Sequence, residues 1–187
     1  MIHLGFAVLA ALHVSDTEPV WPAAPTTESD RLATHIRTIY PRCRYARTLA
    51  SAILLESKVR GLDPALFTAI AWTESGFRPW VTGKYGSIGL WQLLPGPWLE
   101  EPWNEIRDVL DPHWEKLSRR RRERVLRSVL FATYMAGWVV EYHLGFCGDH
   151  RARCYARYQT GRSSVSPAYV RHLEQRSAAV RRALRGE

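Results

Sequence analysis

The chain has 187 residues, 46% of them apolar, which suits one domain with a sizeable core plus a short appendage. Lys and Arg number 26 against 18 Asp and Glu, and the resulting charge of +8 favours anionic partners in general: nucleic acid, an acidic lipid surface or an acidic bacterial wall. No apolar run reaches the roughly 18 residues of a membrane span, so stable membrane insertion is not expected.

Residues 1–14, MIHLGFAVLAALHV, hold an apolar stretch of signal-peptide length with Ala10 and Ala11 near a cleavage region. No Lys or Arg precedes it, so the segment reads either as an export signal with a deficient amino-terminal part or as a short N-terminal helix. Residues 15–29 carry three Pro, several Thr and acidic residues, and no periodicity, and are expected to form a linker. The folded domain is expected over residues 30–187.

From there the pattern is helical. Ser29 or Asp30 caps a short helix that ends at Tyr40, before Pro41. Tyr45, Leu49, Ile53 and Leu54 stripe a second helix over about residues 42–60, stopped by Gly61. A third has Asp63 as N-cap and Pro64 at its first position, and it stops at Gly76. Residues 77–85 read as a loop, and residues 86–95 as a tight turn leading into a short helix ended by Pro95. One long helix is expected over about 117–144, charged at first and apolar later, with Gly145 and Gly148 beyond it. Further helices are expected over about 149–159 and 166–184. Strand-like alternation is nearly absent, so the expected class is all-α with no or minimal β structure.

At about 100° per residue, Leu66, Phe67, Ile70 and Ala71 share an arc of the third helix, and Glu74 falls near its middle. A carboxyl on a burying face, in the last turn of a helix, is pushed toward its protonated form by desolvation and by the helix dipole. A proton held near neutral pH is what the leaving oxygen of a glycosidic bond needs. From the helix alone, a structural ion pair with one of the many Arg residues explains Glu74 equally well.

Two further blocks change that balance. Glu74-Ser75-Gly76 is followed by Gly86-Ser87-Ile88-Gly89-Leu90-Trp91-Gln92-Leu93-Leu94-Pro95, and later by Ala156-Arg157-Tyr158-Gln159-Thr160-Gly161. In kind, order and spacing these resemble the lytic transglycosylases of the soluble (SLT) type, within the lysozyme-like superfamily. That family has a Glu-Ser pair ending a helix, a Gly-Leu-Met-Gln block running into Pro, and an Ala-x-Tyr-Asn-x-Gly block. The resemblance is close over residues 62–95 and looser over 131–170.

The resemblance implies a lysozyme-like helical domain that acts on peptidoglycan glycan strands with Glu74 as the sole acid/base. It would cleave the β-1,4 bond after N-acetylmuramic acid and close a 1,6-anhydro ring, without metal or cofactor. It also implies substrate contacts by Ser75, Ser87, Gly89, Leu90, Trp91, Gln92, Tyr158 and Gln159. Physical grounds accompany several of these. Glycines let the chain approach a sugar, the Gln92 amide offers donors and acceptors, and Tyr158 can bond Glu74 or the sugar. Trp91 stands where the family has Met, and would give a sugar a larger stacking face. Gln159 replaces the family's Asn, and residues 114–127 have no recognised counterpart.

The alternatives are a hydrolysing lysozyme, a catalytically silent wall-binding module, and a basic nucleic-acid-binding helical protein. The first would draw a second carboxylate from Glu100, Glu101, Asp108 or Asp111. The last would rest on the run Arg119 to Arg122, but no nucleic-acid motif accompanies it, so a solvated helix face is expected and nucleic acid is not an expected partner. His113, His143, His150 and His172 share no spacing and read as structural or surface residues. Cys147 and Cys154 can pair if one lies in a loop. Cys43 is a rival partner, and small buried thiols are the remaining option. The expected setting is exported, either periplasmic or extracellular, or phage-associated, and the expected state is a monomer.

Overall fold

The structure is a computed structural model and describes residues 27–94, 118–147, 152–160 and 165–187. Residues 1–14 and most of the linker lie outside it. The linker ends earlier than expected, because helix α1 (Thr27–Ile39) already starts at Thr27. Glu28 and Asp30 occupy its first turn, where acidic groups complement the helix dipole.

Helix α2 (Ala46–Arg60) begins later than the pattern suggests. A turn closed by the Cys43 N–H on the Tyr40 carbonyl takes up the intervening chain and buries Cys43. Helix α3 (Pro64–Ser75) matches its local signals at both ends. The Asp63 carboxylate accepts from the backbone N–H groups of Ala65 and Leu66 at 2.8 and 3.2 Å. Gly76 closes the other end in the left-handed conformation, at φ 60°, and donates to the Trp72 carbonyl. Every residue from Ala65 to Ala71 is buried, so the middle of α3 is covered on all sides, and only Pro64 and residues of the last turn are partly exposed.

Three expectations need correction. No helix follows Gly86. Residues 82–93 instead fold as turns with two isolated bridges, Thr82 to Ile88 and Ile88 to Leu93. The long helix is two helices, α4 (Arg119–Leu126) and α5 (Val129–Gly145). No Pro or Gly marks that break. It falls where Arg127 turns to the 77–94 loop, donating to Thr82 Oγ1 at 2.9 Å, and where the Leu126 carbonyl lies against Gly89. Gly89 has φ 79°, and a Cβ there would stand 2.6 Å from that carbonyl oxygen, so only Gly fits. The next expected helix is also divided, into α6 (Ala152–Tyr155) and α7 (Arg157–Thr160). Helix α8 (Pro167–Arg185) ends the chain.

Helix α8 lies along α3, α1 pairs with α2, and α2 packs on α5. The α3–α8 pair is antiparallel. Arg181 meets Asp63 at one end at 2.6 Å, and Tyr169 meets Glu74 at the other. Arg60 fastens α2 to α5. Its guanidinium bonds Glu56 at 2.7 Å and Glu141 at 2.6 Å, and lies 4.4 Å from the Trp138 ring centre. A bond between Cys147 and Cys154, with Cα atoms 5.8 Å apart, ties the end of α5 to α6. Among the described residues no helix is long and apolar enough to cross a membrane. The architecture is all-α, with β structure limited to those two bridges among the described residues.

Candidate active site

The last turn of α3 carries Glu74 to a half-buried position. Its Oε1 accepts a hydrogen bond from the Tyr169 hydroxyl at 2.5 Å. Burial pushes the carboxyl above its usual range, against the Tyr169 hydrogen bond and the Arg176 charge, which both pull it down. Tyr169 is buried, and burial and the neighbouring Glu74 raise its phenol far above its ordinary range, so it remains a neutral donor. Tyr158 lies near enough to feel Glu74, but its hydroxyl donates to the Trp91 carbonyl at 2.7 Å.

The residues expected to touch substrate divide differently. Trp91 is 0% exposed: its ring stacks on Phe67 at 4.4 Å and its indole N–H donates to Thr133 Oγ1 at 3.0 Å. It offers no face to a sugar and serves as a core residue beneath the site. Leu90 and Gly89 are buried as well. Ser75 is 4% exposed; its hydroxyl donates to the Leu90 carbonyl at 2.7 Å and accepts from the Arg78 N–H at 3.1 Å. It therefore latches the helix end to the loop.

Gln92 has a similar inward role. It sits at φ 50°, a costly conformation for a non-glycine residue. Its amide donates to the Gly89 carbonyl at 2.9 Å and the Val81 carbonyl at 3.2 Å, and accepts from Ser87 at 2.8 Å. Both N–H groups are thus used within the loop. Gln159 is exposed, one residue beyond Tyr158. The second motif block braces the loop against the end of α3, and Tyr158 of the third block ties α7 to that loop.

Tyr169 is the site residue that sequence reasoning missed. It follows Glu74 by 95 positions and belongs to none of the three blocks. Its available signal was Pro167 at the start of α8, which fixes where the helix begins and so which face Tyr169 occupies. Glu100, Glu101, Asp108 and Asp111 lie outside the described residues, as do His113 and His150. Among the described residues, no group of three or more His, Cys, Asp or Glu is arranged to hold a metal ion. Arg120, Arg121 and Arg124 are exposed on α4, as a solvated helix face would have them.

A family model described as the transglycosylase SLT domain matches residues 51–177, which take in α3, the braced loop and the Tyr169 end of α8. The chain belongs to that family, and is a glycan-cleaving lyase of the peptidoglycan lytic transglycosylase type. Neither the curated proteins nor the solved structures gave a match.

Proposed function

We propose that this enzyme cleaves the bond between N-acetylmuramic acid and N-acetylglucosamine with Glu74 acting in both halves of the reaction. The observation that carries the reading is the Glu74 carboxyl itself, half-buried at a helix end, raised by burial and held by Tyr169. Protonated Glu74 gives its proton to the glycosidic oxygen. The substrate's own N-acetyl oxygen steadies the positive charge that develops at the anomeric carbon. Glu74, now a carboxylate, removes the proton from the 6-hydroxyl, whose oxygen closes the 1,6-anhydro ring. No water is consumed.

The groups that act on Glu74 are consistent with a single acid/base. Among the described residues these are Tyr169, Tyr158 and the Arg176 cation, and a second carboxylate is not one of them. A hydrolase of the usual kind needs that second carboxylate within several ångströms. The Cys147–Cys154 bond and the wall substrate together suit a protein working outside the cytoplasm. Clearing of purified cell walls by wild type and Glu74→Gln tests the role of Glu74. The variant is expected to be inactive though folded, and equal clearing refutes the role.

A further inference from the structure

We propose that Arg176 is a positioning residue for Glu74: held over the Trp72 ring, its guanidinium sets the charge balance at the carboxyl through the space between α3 and α8. The inference rests on the reading of Glu74 as the acid/base.

Arg176 follows Tyr169 by seven residues, two helical turns, so both lie on one face of α8. Tyr169 touches Glu74, which fixes that face as the one turned to the site. Helical side chains lean toward the N-terminus of their own helix. In the antiparallel α3–α8 pair, that lean carries the Arg176 guanidinium from its own turn back toward Tyr169 and Glu74. Trp72 receives it, with the guanidinium carbon 5.1 Å from the ring centre. His35 of α1 packs edge-on against the same ring at 5.4 Å and buttresses it.

Arg176 forms no ion pair with a carboxylate among the described residues, in contrast to the two arginines that tie neighbouring helices together. Arg60 is bonded to Glu56 and Glu141, and Arg181 to Asp63. Arg176 Nη1 is buried and makes no hydrogen bond among the described residues. Its positive charge is therefore available to Glu74 rather than spent in a structural pair. Burial pulls Arg176 below its ordinary range while Glu74 and Tyr169 pull it up, and a guanidinium remains charged throughout.

Among the described residues, the titratable groups facing Glu74 are Tyr169 and Arg176 from α8 and Tyr158 from α7. Of the charged groups of α2, Glu56 and Arg60 face Glu141 of α5 and Arg47 pairs with Asp30, and Tyr155 of α6 faces Asp63. His35 and Arg182 act on each other across α1 and α8. Arg176 is thus the one cation among these described groups that bears on Glu74.

The sign of the effect is fixed. Glu74 must be protonated to begin the reaction, so activity falls as pH rises through its titration. Arg176 favours the carboxylate, and removing it moves that alkaline limb to higher pH. The experiment measures initial wall-clearing rates against pH for wild type, Arg176→Met, Arg176→Gln and Arg176→Lys, with Glu74→Gln alongside. Met and Gln are expected to shift the alkaline limb upward, so that the variant-to-wild-type rate ratio climbs with pH. Lys, which keeps the charge, is expected to restore the limb in whole or in part. A merely structural role would lower the rate equally at every pH. A uniform loss or an unmoved limb in the folded Met and Gln variants, with Glu74→Gln inactive, overturns the role of Arg176 alone. A Glu74→Gln protein that clears walls as fast as wild type overturns the reading of Glu74 and this inference together.

Discussion

Tyr169→Phe is the substitution that isolates one hydrogen bond at the site. The phenyl ring keeps its place in the core, and the change deletes the hydroxyl that donates to Glu74 Oε1 at 2.5 Å. A hydrogen bond to a charged group contributes about 1.5–3 kcal/mol. In the proposed mechanism Glu74 passes from acid to carboxylate in the first half of the reaction, so the bond strengthens as the proton leaves. Tyr169 should then favour the cleavage step, and at 1.36 kcal/mol per factor of ten its loss slows that step by about tenfold to a hundredfold. The same loss removes an influence that lowers the Glu74 titration, so the alkaline limb of the pH profile should move upward. The assay is initial clearing of purified walls against pH, with soluble products quantified by chromatography. A Tyr169→Phe protein with an unchanged rate and an unmoved limb would refute the reasoning.

Glu74→Gln should stabilise the protein at neutral pH. Burial raises the folded-state titration of Glu74 above its unfolded value, so the wild type loses stability as pH climbs from the unfolded titration through the folded one. The variant lacks that loss, and its gain in Tm should vanish at pH values below the unfolded carboxyl range; a gain that persisted there would contradict the argument. Arg60→Met removes the cation shared by Glu56 and Glu141, whose side chain is only 7% exposed, and should cost about 3–5 kcal/mol in urea unfolding. Trp91→Phe loses the bond to Thr133 and part of a fully buried ring, and should cost about 1–3 kcal/mol. It should leave KM for wall fragments unchanged, whereas a raised KM with unaltered stability would restore Trp91 as a sugar contact.

What the sequence made legible was whatever is decided locally. Asp63, Pro64 and Gly76 fix both ends of α3 through contacts within a few residues, and both ends fell where those residues place them. The break between α4 and α5 was not legible, because Arg127 and the Leu126 carbonyl answer to a loop more than 35 residues earlier in the chain. The motif blocks identified the family but not the task of each side chain. A small polar residue beside a half-buried carboxyl looks the same in sequence whether it meets substrate or, like Ser75, latches a loop. Trp91 shows the same limit. A large ring at a motif position suits a sugar face, yet only the fold shows Phe67 already stacked on it. Helical spacing likewise could not reveal that α3 is covered on every side over Ala65–Ala71, which makes the half-buried last turn, not the arc, the feature that distinguishes Glu74.

The most direct test of the central claim is the mass of the sugar ends released from purified peptidoglycan. If the Glu74 carboxylate takes the proton of the 6-hydroxyl as that oxygen closes the ring, each new N-acetylmuramic acid end is lighter by one water than a reducing end, and Glu74→Gln releases neither product. Reducing ends as the main wild-type product would contradict the single-carboxylate mechanism and require a second group that activates water.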